Sequence, residues 1–438
     1  MQLEKNFPSV VKYMGSKTDV LDLIEKGINY FNRDHNWICD LFAGSATLSA
    51  ALRGKANIIS NDIQEYSEVF TKAYLNNYDW NNFPSVESIS EKAAERAHHL
   101  LEENADLTEK FSYNRMFTLS EFNQMETSER ELFNRENWNE FDGYYLFTKC
   151  YSGTYWSFEQ CVWIDSYRAV IDEHKENEPL FNLLLTCLMY AMAYNSQSTG
   201  HYAQYRIPDN DSSMNDILIY RRKNITEFFD RKFKEFHKYL QTENNCQFIA
   251  TAETDVDCLM QLPDDTLVYA DPPYSFVHYS RFYHILETLV RYDYPKVKYK
   301  GRYRTDRYQS EYCRKTEVGI AFEQLFRGVR EKKVDLVLSY TNSDTNTIEF
   351  SKLLAICLDT VNPQLAGTGI LKISMNRADE FFSEGSVEQV KLLEQKDTSE
   401  KLDYEIAMIK KPYNHSRMGR TVTKTIPVTE VVIIAKHL

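Results

Sequence analysis

The feature that most constrains the fold is a strand–helix alternation that starts, breaks off for a long helical stretch, and then resumes. Residues 18–31 place Val20, Leu21, Ile24, Ile28 and Phe31 at the spacing of one helix face. WICDLFAG (37–44) is a short apolar run ending in a glycine turn, TLSAALRG (47–54) reads as a helix, NIISND (57–62) as a second strand and EYSEVFTKAYLNN (65–77) as a further helix. Parallel strands need a crossover, and short links to intervening helices supply one, so this opening predicts a parallel α/β sheet. From about Asn81 to Cys246 the alternation disappears. That stretch holds an acidic helical segment (85–104), an aromatic-rich segment (141–168), an apolar helix (Pro179–Tyr194) and a helix with Ile225, Phe228, Phe229, Phe233, Phe236 and Leu240 on one face. Strands return with QFIAT (247–251), TLVYADPPY (266–274), VDLVLSYTNS (334–343) and VTEVVIIAK (428–436). The expected organisation is an α/β domain in two pieces, 1–80 and 246–438, with a mainly helical insertion at 81–245.

A composition of 43% hydrophobic and 26% charged residues over 438 positions excludes a largely disordered chain. The net charge of −13 argues against a uniformly basic nucleic-acid binder, but the charge is unevenly spread. Segment 291–315 carries nine Lys/Arg and three Asp/Glu, whereas 85–142 carries six basic and fourteen acidic residues. The eight cysteines form no C-x-x-C pair, which argues against a zinc site or a disulfide framework. The first residues lack the apolar core of a signal peptide, and the longest apolar run, Leu183–Tyr194, is too short to span a bilayer. A soluble protein of a reducing cytoplasm, without a membrane partner, is the expectation.

Two constellations carry chemistry. Asp40-Leu41-Phe42-Ala43-Gly44 ends the first strand in a glycine turn, and Asp62 ends the second. Such a turn lets backbone approach a cofactor, and an acid at the next strand end suits ribose hydroxyls. One firm glycine suits a nucleoside cofactor without a pyrophosphate. The second is Asp271-Pro272-Pro273-Tyr274 at the end of LVYA. Two prolines force an extended, rigid turn and donate no backbone hydrogen bonds. The Asp271 carboxylate and the Pro272 carbonyl are thereby left as acceptors beside an aromatic ring. Two acceptors next to a stacking surface suit a planar exocyclic amine, and holding both N–H groups frees its lone pair to attack a methyl group.

In chain order, Lys12-Tyr13-Met14-Gly15-Ser16-Lys17, Asp40 to Gly44, and Asp271 to Tyr274 resemble the Dam-like (D12) adenine-specific DNA methyltransferases in their alpha arrangement. They match that family's K-W-x-G-G-K element, its D-x-F-x-G motif and its D-P-P-Y. The resemblance covers about 1–80 and 245–438. It implies a Rossmann-like S-adenosylmethionine-dependent methyltransferase sheet with an inserted, mainly helical recognition domain, acting on adenine N6 in a base swung out of double-stranded DNA. It also implies site roles. Lys17 would pair with the methionine carboxylate, with Tyr13 beside it. Asp40, Phe42, Ala43 and Gly44 would line the methionine end. Asp62 would take the ribose and Ile63 the adenine ring of the cofactor. Asp255, with Asp257 as competitor, would hold the cofactor's amino group or simply cap a helix. Asp271, Pro272, Pro273 and Tyr274 would act on the target base, with no metal required. The chain departs from the family at Ala46, where a second glycine is usual, and at Ser16 and Tyr13. The rival readings are N4-cytosine or RNA amino-methylation, methylation of a protein amide, and an inactive cofactor-binding recognition subunit. Asp271 disfavours N4-cytosine and protein-amide methylation, where Ser and Asn respectively are more common at that position.

Basic and aromatic residues alternate through 291–315, so Lys298, Lys300, Arg302, Arg304 and Arg307 are expected DNA contacts, with Tyr299, Tyr303 and Tyr308 able to stack. A solvated edge strand is the competing reading. Asn195–Arg206, around Gly200-His201-Tyr202, would lie near the target base, and His415–Arg420 forms a basic stretch before the last strand. The acidic 85–142 segment fits a protein partner or self-association better than DNA. The setting would be a prokaryotic cell or a phage-infected host, in restriction–modification or a related role.

Overall fold

The computed structural model describes residues 1–11, 17–197, 201–342, 346–384, 387–416 and 425–438, without the side chains of 342, 413–416 and 425–428. Lys12 to Ser16, and with them Tyr13, lie outside the described residues, as do Gly200 and Arg417–Arg420 of the two loops singled out above.

Ten strands are present among the described residues: β1 (Trp37–Asp40), β2 (Asn57–Asn61), β3 (Phe248–Thr251), β4 (Thr266–Ala270), β5 (Val297–Lys298), β6 (Tyr303–Arg304), β7 (Asp335–Asn342), β8 (Gln389–Leu393), β9 (Tyr404–Ser416) and β10 (Thr425–His437). Eight of them form one sheet in the order β3-β2-β1-β4-β7-β10-β9-β8. From β3 to β7 the neighbours are parallel, and β10, β9 and β8 add on antiparallel. The α/β reading from sequence holds, including all six strands expected. Strands β8 and β9 and the small β5–β6 hairpin were not foreseen. The chain runs outward from β1 through β2 to β3 and then returns to β4 on the other side. The strand order therefore reverses between β1 and β4, the place where open α/β sheets leave a crevice at the carboxyl ends of their strands.

Both faces of the sheet are covered. One core joins Ile38, Ile58, Tyr269, Val337 and Val432 to the helices Leu21–Asn29, Thr47–Leu52 and Glu65–Leu75. The helices Glu178–Asn195 and Ile225–Tyr239 pack into the same core through Leu183, Leu184, Phe229 and Phe233. The other face buries Cys39, Val268, Leu336 and Ile433 under Val318–Lys332 and Phe350–Val361. A third, smaller core at Leu100, Phe122, Phe141, Phe158 and Ile217 is confined to the inserted helices. Among the described residues, no strand of the large sheet falls within 81–245. Part of the insertion therefore has its own core, while two of its long helices share the core of the sheet.

Among the described residues no helix is long and apolar enough to cross a membrane.

Candidate active site

The carboxyl ends of β2, β1, β4 and β7 open into one cavity of about 510 Å³, within the range typical of small-molecule sites. Lys17, Phe42, Ala43, Gly44, Asp62 and Ile63 line it, together with Asp255 and Asp271 to Tyr274. Asp40 lies beneath it, fully buried. The turn Lys17–Val20, ahead of the first helix, brings the buried Lys17 ammonium to Asp40 Oδ1 (3.2 Å) and to the carbonyl of Phe42 (2.6 Å). Burial drives the Asp40 carboxyl above the usual carboxylate range, and Lys17 opposes that shift. Asp40 Oδ2 has no hydrogen-bond partner among the described residues. An ammonium has three donors, of which Lys17 spends two here; the same ammonium stands 5.3 Å from the centre of the Tyr269 ring, and Lys17 lines the cavity.

The turn after β1 is shaped by positive φ at Gly44 (56°) and at Ala46 (55°). Position 46 therefore takes the left-handed conformation that glycine adopts without strain, and the alanine methyl there is fully buried. Ala46 keeps the turn that the family builds with glycine. The Gly44 amide donates to Asp62 Oδ2 (2.9 Å) and the Gln64 amide to Asp62 Oδ1 (3.0 Å), which fixes the carboxylate at the end of β2. Asn61 ties that strand end to its neighbour, donating to the Glu253 carbonyl (3.1 Å) and accepting from the Glu253 amide (3.0 Å).

Asp255 opens the helix Asp255–Gln261, but the cap is Thr254, whose hydroxyl accepts from the Asp257 amide (3.1 Å), so the reading of Asp255 as the helix cap is corrected. Asp255 lines the cavity, and its Oδ2 accepts from the Tyr312 hydroxyl at 2.6 Å. Tyr312 also packs edge-on against Phe42, with centroids 5.5 Å apart. No local motif pointed to Tyr312, because its role depends on a chain return 57 residues after Asp255. Asp257 turns away and pairs with Thr254.

Asp271 follows directly on β4, half-buried on the cavity wall. Burial is the main cause that pushes its carboxyl up to about 6; Lys17 lowers it and Asp40 raises it further. The Tyr274 carbonyl accepts from the Thr347 amide (2.8 Å), and the Tyr274 ring meets Tyr340 edge-on at 6.2 Å. Tyr274 is thus braced from β7 and the loop after it. Tyr279, Ser339 and Glu430, none of them singled out from sequence, share this wall.

The sequence profile of the D12 class of N6 adenine-specific DNA methyltransferases matches residues 13–350. The chain belongs to that family. S-adenosylmethionine is the methyl donor of the class. The chain is 25% identical to the type II methyltransferase M.FokI of Planomicrobium okeanokoites over 76% of its own length and 44% of that protein's. It is 22% identical to the modification methylase LlaI of Lactococcus lactis subsp. lactis, over 86% of this chain and 52% of that one. With the type II methyltransferase M.NlaIII of Neisseria lactamica it shares 24% identity over 76% of this chain and 84% of the relative. The chain thus spans about half the length of the FokI and LlaI proteins. The residues around the cavity fit this methyl donor: an acceptor one partner short at Asp40, a fixed carboxylate at Asp62, and an aromatic wall at Phe42 and Tyr312.

The basic stretch divides. Strands β5 and β6 form a hairpin whose tip carries Lys298, Tyr299 and Lys300 outward, with Tyr299 80% exposed. Arg307 is half-buried and donates to Ser280 Oγ (3.1 Å), beside the cavity. Arg302 and Arg304 correct the expectation that all five basic residues face DNA. Arg304 is 2% exposed and gripped by Asp293 (2.6 and 2.7 Å) and Asp306 (2.9 Å). The Arg302 guanidinium donates to the carbonyls of Cys150 and Arg130. Arg302 lies in the turn ahead of β6, and Arg304 is buried beside an equally buried Tyr303, so it is the acceptors around each arginine and not strand alternation that draw the two inward. Arg304→Ala takes the close cation from Asp293 and Asp306 and leaves the more distant Arg291, 3.8 Å from Asp306, in its place. It should cost about 1–3 kcal/mol, read as a lowered Tm and faster proteolysis within 296–307.

Proposed function

We propose that this D12 chain transfers a methyl group from S-adenosylmethionine to the N6 amine of an adenine swung out of double-stranded DNA. The observation that carries this reading is the Asp-Pro-Pro-Tyr turn opening its carboxylate and its ring into the same cavity as Lys17 and Asp62. S-adenosylmethionine supplies, when bound, an electrophilic methyl group on a sulfonium. Asp62, Lys17, Phe42 and Asp255 are the residues that would hold it. Asp271 and the Pro272 carbonyl accept the two N–H bonds of the amine, and Tyr274 packs on the base. Methyl transfer would exchange the sulfonium S–C bond for the new C–N bond, leaving a neutral thioether, and the Asp271 carboxylate would take the proton that the nitrogen sheds. A group held up to about 6 is mostly ionised at neutral pH yet is still basic enough to take a proton in passing. Most of the acceleration comes from holding the reactants in line, worth roughly 7–11 kcal/mol in favourable cases.

The insertion at 81–245 and the β5–β6 hairpin would read the DNA, and the similarity to LlaI, a modification methylase, supports a restriction–modification setting in a bacterial cytoplasm. The acidic 85–142 surface would meet a protein partner or a second copy.

Incubation of the protein with labelled S-adenosylmethionine and unmethylated genomic DNA, followed by mass spectrometry of the nucleosides, tests the reaction. N6-methyladenine is the expected product; N4-methylcytosine, or label on RNA alone, would replace this reading with a rival. For the DNA face, the double change Lys298→Glu/Lys300→Glu should weaken binding at least roughly tenfold near 0.1 M salt. It should also reduce the slope of log K against log salt by about 2, since each lost phosphate contact accounts for about 0.9. Binding titrations at several salt concentrations measure both, and an unchanged slope removes the hairpin tip from the interface.

A further inference from the structure

Glu430 is a single acid inside an apolar strand, flanked by Val431, Val432, Ile433 and Ile434, all fully buried. An acid in such a run calls for a partner or a purpose. The register fixes its surroundings. Glu430 lies opposite Thr341 of β7 and Lys411 of β9. Ala270 of β4 lies opposite Leu338, so Asp271 comes level with Ser339, and Ser339 lies opposite Val432. Tyr269, Val337 and Val432 belong to one core on one face of the sheet. Asp271, Ser339 and Glu430 each stand two residues along from one of these and continue that face. All three line the cavity. Across the strand order, Glu430 sits ~19 Å from the β2 end that carries Asp62, four strand spacings away, so it belongs to the base end and not the ribose end. Its carboxyl makes no hydrogen bond or ion pair among the described residues.

We propose that Glu430 recognises the target base, donating a hydrogen bond as a neutral acid to the ring nitrogen next to the amine that Asp271 holds. The inference rests on the function proposed above. Adenine presents, side by side, an amine that donates and N1 that accepts. An ionised Asp271 beside a protonated Glu430 presents the matching acceptor and donor. Two ionised carboxylates on one wall repel, so one of them keeps its proton. Burial first, and then the charge of Asp271, push Glu430 up to about 8, whereas Asp271 reaches only about 6. The proton therefore resides on Glu430 at neutral pH. The nearby cations do not reverse this. Lys411 turns its ammonium to the Asp22 carboxylate (2.8 and 2.9 Å) and to the Asp19 carbonyl (3.2 Å), and Lys17 is held by Asp40 and Phe42. Asp19 faces the cavity as well, and both Tyr269 and Tyr279, whose hydroxyls Glu430 pushes further up, stay protonated.

The test compares single-turnover methylation of duplexes carrying adenine or 1-deazaadenine, which has C–H in place of N1, at the mapped target. The full chain and its Glu430→Ala and Glu430→Gln variants are assayed from pH 6 to 10. The parent should favour adenine by at least roughly tenfold, the penalty for leaving a buried donor unpaired, and Glu430→Ala should bring that ratio toward one. The parent rate should fall above about pH 8, as Glu430 ionises. Glu430→Gln keeps a donor that does not titrate; it should lose less than Glu430→Ala and show no alkaline decline. An adenine preference that survives Glu430→Ala, or an alkaline decline that survives Glu430→Gln, overturns the inference alone. A parent protein that places no methyl group on adenine overturns the inference and the proposed function together.

Discussion

Asp271→Ala should lower the methyl-transfer rate by roughly 10³-fold or more while S-adenosylmethionine still binds. Losses of that size accompany removal of a single preorganised polar contact at a reacting centre. The division of labour follows from position: Asp271 stands on the base side of the strand reversal, whereas Asp62, Phe42 and Asp255 wall the opposite end of the cavity. Calorimetric titration of the cofactor and single-turnover kinetics separate the two effects, and a variant that loses cofactor affinity in step with its rate would contradict the division. The parent rate should rise through about pH 6 as Asp271 ionises, and Asp271→Asn should remove that acidic limb. Stability runs the other way. A carboxyl raised in the folded state binds its proton more tightly there than in the unfolded chain, so stability falls as pH rises from about 4, the unfolded value, through about 6. Asp271→Asn should therefore unfold later than the parent at pH 7, by up to about 3 kcal/mol, measurable by urea denaturation. A gain in stability with a loss in rate marks a residue kept for function.

What the sequence disclosed and what it concealed divide along physical lines. Strands β1, β2, β4 and β7 were legible because parallel strands covered on both sides read as unbroken apolar runs. Asp40, Gly44, Asp62 and Asp271 were legible because each sits at the end of such a run, where the backbone itself delivers the side chain to the crevice. Strand β9 was not, because Glu405, Lys410 and Lys411 interrupt its apolar pattern near the far edge of the sheet. Arg302 and Arg304 were read outward because a basic–aromatic alternation does not say which side of a hairpin faces in; their acceptors are two acids and two distant carbonyls. Tyr312 and Glu430 join the site only through long-range pairing. For Glu430 one local clue was present, a lone acid in VTEVVIIAK. The division at residues 81 and 245 marks where strand alternation stops, while the core crosses it, because Glu178–Asn195 and Ile225–Tyr239 bury their apolar faces on the sheet.

Lys17→Met should act on the fold and on the cofactor by separable routes. Lys17 is the only described residue whose charge opposes the burial of Asp40, and it also pins the Phe42 carbonyl at the turn. Removing one partner of a buried pair costs roughly 3–5 kcal/mol when the other charge stays ionised. Asp40 can escape that cost by taking up a proton. Its carboxyl already lies above the usual range, and without Lys17 it rises further. A raised carboxyl favours the folded state at low pH, so the loss in Lys17→Met should be small near pH 5 and grow toward pH 8. Denaturant midpoints across that range measure it. Adding Asp40→Asn removes the stranded charge, so the double variant should recover most of the stability and lose the pH dependence; a loss that is flat with pH and not recovered would show that the two residues are not energetically coupled. Cofactor affinity should not return with it, because Lys17 lines the cavity and no asparagine at position 40 replaces its charge there. Stability that recovers while binding does not would separate the two tasks of this lysine, bracing the turn after β1 and meeting the ligand above it.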